Sequence, residues 1–289
     1  MLFAAVLLTV AGVMFARFAG DPIPPLLAVQ RAPLRVVLGP PEKVGELTVY
    51  RGGQGEGPTL VFVHGFGDSA GTWSQVVGPL ARRHKVVVYD QPGHGRSGPA
   101  EPPLGFVDLR LGIEAVAETI EGPLVLVGNS LGGLVSLRFA LDHPNRVQRV
   151  VLLNSGGLAV AKLDASLLIP SSREDVHRKS QALLGDRARP LPGFLSDALM
   201  EHSADPRLQS LWIDLRTPPT HHVDEELGTL DVPVDVLWGT PDGILPLDGY
   251  GERFEALIPN ARTEVLDGCA HMPQLTCPNR VVLLLEQRL

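Results

Sequence analysis

Cysteine is nearly absent from this 289-residue chain, which has only Cys269 and Cys277. Neither has His or Cys partners at zinc-ligand spacing, and two thiols cannot make a disulfide framework, so both read as small buried apolar groups. Basic charge is also short. The 25 Lys and Arg residues are outnumbered by 32 Asp and Glu, for a formal net charge of -7. With no Lys/Arg-rich run to offset that balance, the chain has no broad attraction to nucleic acid. It also lacks a metal-ligand cluster, a phosphate-cradling glycine loop, internal repeats and low-complexity segments, so neither a metal nor an organic cofactor is implied.

One long apolar run is present, at residues 1–16, just before Arg17. At 1.5 Å per residue it reaches only ~24 Å, short for a spanning helix. No basic residue precedes it, and Arg17 and Phe18 spoil the small-residue pattern of a cleavage site. Residues 1–20 therefore read as an uncleaved anchor or interfacial helix, with membrane association through 1–19, ahead of a cleaved signal or a buried soluble helix. If the segment spans, Arg17, Arg31 and Arg35 draw the following domain to the cytoplasmic side. Export after cleavage is the alternative. Residues 21–43 are rich in proline and read as a tether ending in a short strand.

From residue 44 on, short β-branched runs alternate with amphipathic stretches. The runs fall at 59–65, 85–90, 123–129, 150–154, 234–239 and 263–268. Continuous apolar strands call for burial on both faces, hence a mostly parallel sheet covered by helices. Helical spacing marks 106–121, 131–142, 250–257 and 279–287. The alternation breaks at 156–231, which reads as a helical cap inserted in a core made of 44–155 and 232–289.

In "LVLVGNSLGGLVSLRFA" an apolar strand gives way to a helix at Ser130, with Gly128 and Gly132 two residues to either side. A strand-to-helix turn at the carboxyl end of a parallel sheet points its residue into the ligand site. Serine is a weak nucleophile until a base takes its proton and an acid orients that base. His271, in the loop after the last strand, is the candidate base. Asp242, in "LWGTPDGILP", is the candidate acid, with Asp248 and Asp231 as rivals. The backbone N–H groups of Leu131 and Phe66 are placed to receive an oxyanion. His64 reads as a structural hydrogen-bonder, and His94 and Arg96 as residues that fix the loop "DQPGHGRSG".

Together with "HGFGDSAGTW" and "GCAHMPQ", these segments resemble the α/β-hydrolase superfamily over residues 45–289 and occur in its order. Within it the chain is most similar to membrane-anchored monoacylglycerol lipases and bacterial lipases and esterases. The resemblance implies an α/β-hydrolase fold and a serine hydrolase that cleaves acylglycerol or other lipid-like esters through an acyl-enzyme on Ser130. Carbon–carbon hydrolases of ring-cleavage products are the rival, but they usually carry a Gly-rich oxyanion loop and an aromatic residue after the base, where this chain has Phe66 and Met272. A non-catalytic receptor on the same fold is a further alternative. Leu167, Leu168, Phe194 and Met272 are the candidate acyl-contact residues, with the cap choosing the substrate.

Overall fold

The computed structural model describes residues 22–99, 101–159, 163–216 and 221–289. The apolar segment expected to act as an anchor lies outside these residues. Among the described residues, no helix is long and apolar enough to cross a membrane.

The strands are β1 (Glu42–Val44), β2 (Leu47–Gly53), β3 (Thr59–Val63), β4 (Lys85–Tyr89), β5 (Leu124–Asn129), β6 (Val147–Leu153), β7 (Val234–Thr240) and β8 (Ala261–Asp267). They form one sheet in the order β1-β2-β4-β3-β5-β6-β7-β8. β2 pairs antiparallel with β1 and β4, and every pairing from β4 through β8 is parallel. Strand side chains alternate between faces. Val61, Leu126, Val150 and Val236 accordingly enter one core, while Phe62, Val125, Val151 and Leu237 enter the other. Such strands are buried on both sides, which is why they read as continuous apolar runs.

The helices are α1 (Ile23–Leu38), α2 (Ser74–Leu80), α3 (Phe106–Glu118), α4 (Leu131–Asp142), α5 (Arg173–Leu184), α6 (Gly193–Ser203), α7 (Pro206–Arg216), α8 (Glu252–Leu257), α9 (Pro273–Thr276) and α10 (Pro278–Arg288). α3, α4 and α8 supply one core with Phe106, Leu109, Leu134, Val135 and Phe254. α1, α2 and α10 supply the other with Leu34, Leu38, Val77, Leu80, Val281 and Leu285. α5, α6 and α7 come from the stretch between β6 and β7, where the strand signal lapses.

The proline-rich stretch expected as a tether is helical instead. Pro24 and Pro25 stand in the first turn of α1, where a missing N–H costs nothing. Pro33 lies inside and forfeits a helical bond, a loss of about 3 kcal/mol. Burial offsets it. Leu34 is 1% exposed and Leu38 7%, and full burial of each side chain is worth about 1.5–3 kcal/mol. Arg31 adds a buried contact to Asp90 at 3.4 Å.

Candidate active site

Ser130 is the single residue between β5 and α4. Its backbone sits at φ 54°, ψ -121°, a conformation that costs a non-glycine residue of order 1–3 kcal/mol. Hydrogen bonds on both sides hold it there. Its N–H donates to Leu153 O at 3.1 Å, and its carbonyl accepts from Gly133 N at 2.9 Å and Gly156 N at 2.8 Å. The flanking glycines are demanded by backbone rather than by flexible side chains. A Cβ on Gly132 would lie 2.2 Å from Val63 O, and one on Gly128 would lie 2.4 Å from Gly132 O.

His271 follows β8 and is 3% exposed. Its carbonyl accepts from Asn129 Nδ2 at 3.0 Å, and Asn129 Oδ1 in turn accepts from Gln274 Nε2 at 3.0 Å. The end of the serine strand thus holds the histidine loop directly. A disulfide joins Cys269 to Cys277 across the same loop, with a Cα–Cα distance of 5.6 Å. This corrects the reading of the two cysteines as small apolar groups. The single turn of α9 folds the chain back within eight residues, a reversal that spacing alone does not reveal.

Asp242, after β7, is the carboxylate that meets the imidazole. His271 Nδ1 lies 2.7 Å from its Oδ2. Because a carboxylate accepts, Nδ1 carries the proton and Nε2 of the neutral ring is left with its lone pair. Asp242 Oδ2 also accepts from Asn154 Nδ2 at 2.7 Å, and Oδ1 accepts from the N–H groups of Ile244 at 2.8 Å and Leu245 at 2.9 Å. The rivals Asp248 and Asp231 are exposed. Asn154 and Asn129 were not singled out from the sequence. The available signal was one amide at the end of each otherwise apolar strand segment, "PLVLVGN" and "VVLLN".

The loop after β3 runs against the serine, since a Cβ on Gly65 would lie 3.2 Å from Ser130 Cβ. Phe66 follows it and faces the same cavity as Ser130. Leu131 opens α4, where a backbone N–H has no intrahelical partner. His64 is fully buried, accepts from Gln91 N at 3.0 Å through Nε2, and contacts Gly65 O at 2.8 Å through Nδ1. Burial lowers its pKa to about 4, so it stays neutral. His94 Nδ1 contacts Pro92 O at 2.8 Å, and Arg96 serves its loop through a backbone N–H to Asp90 Oδ2 at 2.9 Å.

Ser130 and His271 open on one cavity of about 330 Å³, roofed by α5 and α6. Leu168 and Met272 line it, together with Val176, Leu183, Leu199 and Leu275. Leu167 instead packs into the core shared with α3 and α4, and Phe194 is not among the lining residues. Besides His271, three ionisable side chains break the apolar lining: Asp68, Lys179 and His202. Burial pushes Asp68 up to about 6, with the Ser69 N–H and the Thr72 hydroxyl pulling the other way. Burial also lowers Lys179 to about 8, opposed by the Asp68 charge.

Residues 60–283 match the model of the alpha/beta hydrolase family. The chain belongs to the alpha/beta hydrolase family. It is similar to the pimeloyl-[acyl-carrier protein] methyl ester esterase of Nitrosomonas europaea, with 30% identity over 244 residues that cover 79% of this chain and 94% of the esterase. It also resembles the 2-hydroxy-6-oxo-6-phenylhexa-2,4-dienoate hydrolase of Burkholderia cepacia, at 29% over 245 residues, covering 76% and 83% respectively. Among solved structures, a membrane phospholipase A described as a bacterial virulence factor superposes with a TM-score of 0.78 at 25% identity, covering 99% of this chain and 95% of that one. The alpha/beta hydrolase thus has esterase, lipase and dienoate-hydrolase relatives.

Proposed function

We propose that this alpha/beta hydrolase cleaves carboxylic esters through an acyl-enzyme on Ser130. The observation that carries the reading is the 2.7 Å contact between His271 Nδ1 and Asp242 Oδ2, which leaves His271 Nε2 basic on the cavity that Ser130 also lines. Ser130 Oγ attacks the ester carbonyl while His271 takes its proton, and the proton then passes to the leaving alcohol. Asp242 fixes the imidazole tautomer and steadies its charged form. The N–H groups of Phe66 and Leu131 receive the oxyanion, each such donor being worth ~3 kcal/mol of barrier. Water repeats the cycle and frees the acid.

The apolar lining favours an acyl chain, and a cavity of about 330 Å³ is at the small end of ligand pockets, so short to medium chains fit best. Acylglycerols and other lipid-like esters are the substrate class. A series of p-nitrophenyl esters of graded length tests this, run beside monoacylglycerols and a ring-cleavage dienoate. Ester turnover that rises over the first carbons and then levels supports the reading. Dienoate turnover without ester turnover assigns the carbon–carbon hydrolase instead.

The domain works tethered to a membrane by residues 1–19, in an oxidising compartment. Support for the compartment comes from the Cys269–Cys277 disulfide, since such bonds persist outside the reducing cytosol. It weighs against the cytoplasmic side favoured by Arg17, Arg31 and Arg35. Both cysteines should resist alkylation in protein taken from cells without reductant, and deletion of residues 1–20 should release the protein from membranes. Free thiols, or unchanged partitioning after the deletion, would contradict these placements.

A further inference from the structure

Lys179 stands in the wall of the catalytic cavity, on the face of α5 that Val176 and Leu183 also turn to it at i, i+3 and i+7 spacing. Its two neighbours follow the apolar rule for that face, and Lys179 breaks it. Its position is fixed close to the chemistry. Leu183 O accepts from Met272 N at 3.2 Å, beside His271, and four residues at 1.5 Å each put Lys179 about 6 Å back along the helix from that contact. Among the described residues Lys179 Nζ gives one hydrogen bond, to the neutral Leu168 O at 2.8 Å. An ammonium has three to give.

A buried charge calls for a counter-charge, yet Lys179 makes no ion pair among the described residues. Asp68 is the one carboxylate among the described lining residues. Burial lowers the Lys179 pKa to about 8 and the Asp68 charge opposes that fall, so the ammonium is the form present at neutral pH. Asp68 does not reach it as a partner. Ser69 N at 2.8 Å and the Thr72 hydroxyl stabilise the Asp68 carboxylate, and its Oδ2 has essentially no accessible surface. A second cavity, of about 310 Å³, shares Val176, Ser180 and Leu191 with the first. Arg173, His177 and Arg189 line it, with no carboxylate among its described lining residues. Asp197 holds Arg173, whereas Arg189 gives hydrogen bonds to the carbonyls of Asp186 and Ala188 and makes no ion pair among the described residues. In a chain of net charge -7, this one face of the cap is cationic.

The ammonium discriminates among bound groups. An alkyl group leaves it without a partner, and a neutral oxygen meets its hydrogen bonds but not its charge. A carboxylate or phosphate meets both, through charge-assisted hydrogen bonds roughly twice as strong as neutral ones. We propose that Lys179 is a specificity-determining residue that selects esters carrying an anionic group a few atoms from the scissile carbonyl. The proposal rests on the esterase reading of Ser130. The anion has two chemical sources, a carboxylate at the end of the acyl chain or a phosphate on the leaving alcohol.

The test compares kcat/KM within matched pairs on the full-length protein at neutral pH. One pair is monomethyl glutarate against methyl pentanoate, and the other is the butanoyl ester of glycerol 3-phosphate against glycerol monobutanoate. Wild type should favour the anionic member about tenfold in one pair, and which pair responds identifies the source. Lys179→Met keeps the stem and removes the charge, so it should bring that ratio to one or below, chiefly by raising KM for the anionic member. Lys179→Arg keeps the charge and should retain a preference for the anion. Wild-type ratios near one in both pairs would overturn the proposal, and they need no variant to fold. So would a preference that survives Lys179→Met, or a Lys179→Met loss that falls equally on both members of a pair, which would mark a structural role. Failure to turn over any ester is a separate result, which sinks the esterase reading and this selection with it.

Discussion

Asn154 Nδ2 donates to Asp242 Oδ2 at 2.7 Å, the same oxygen that accepts the hydrogen bond from His271 Nδ1. Asn154 is wholly buried, sits at φ 43°, and also pairs with both the N–H and the carbonyl of Gly239. It ties the end of β6 to the loop that carries the acid. Asn154→Ala should lower kcat roughly tenfold to a hundredfold with KM within about twofold, because the lost contact orients the imidazole rather than the substrate. Steady-state kinetics on a short p-nitrophenyl ester decides this. A change in KM alone would place Asn154 outside the catalytic array.

The turn around Ser130 tolerates no added atom. Gly132→Ala would drive its Cβ against Val63 O and His64 O, backbone atoms that cannot swing aside. The variant should lose 3 kcal/mol or more, beyond the usual range of about 1–3 for overpacking, and express poorly. Gly57→Ala is the control, since nothing lies within 4 Å of the added carbon. Equal urea midpoints for the two variants would contradict the packing described for this turn.

Legibility followed the scale of the interaction. Strands β3 to β7 could be read because two-sided burial makes each a continuous apolar run. Ser130, His271 and Asp242 could be singled out because each follows the end of a strand, where a parallel sheet opens its ligand site. α1 was misread because its prolines are local breakers, while the force that makes it helical is long-range burial of Leu34 and Leu38. The Cys269–Cys277 bond escaped for the same reason, since it depends on one helical turn reversing the chain. Asn129 and Asn154 announce themselves only through partners 142 and 88 residues away.

Acid should weaken the fold in a defined window. Burial lowers His64 to about 4 and His94 to about 3, so below pH 6.5 the unfolded chain binds two protons that the native state refuses. Asp68 works in the opposite sense. Its native pKa of about 6 makes the folded state the better proton binder between about 4 and 6. The net is one proton, and these groups should cost about 1.4 kcal/mol per pH unit as pH falls from 6 to 4. Urea midpoints across pH 4–8 measure the slope. A constant midpoint between pH 7 and 5 would show that the histidines are not held neutral.

The bond between Cys269 and Cys277 clamps the loop that presents His271. In the chain-entropy picture so short a loop is worth roughly 2–3 kcal/mol. Replacing both cysteines with Ala should lower Tm by roughly 5–10 °C. It should also reduce kcat more than it changes KM, because His271 is then less firmly placed. Calorimetry and kinetics on the one variant test both effects, and a variant with unchanged Tm and kcat would reduce the bridge to an ornament of the loop.

The central claim is that Ser130 is the nucleophile. It is tested most directly by mass spectrometry of the protein after a fluorophosphonate reaction, with ester turnover followed in parallel. The account predicts one adduct per chain, mapped to Ser130, with turnover lost in step with labelling, and neither labelling nor turnover in Ser130→Ala. An adduct on another serine, or ester turnover that persists in Ser130→Ala, would contradict it.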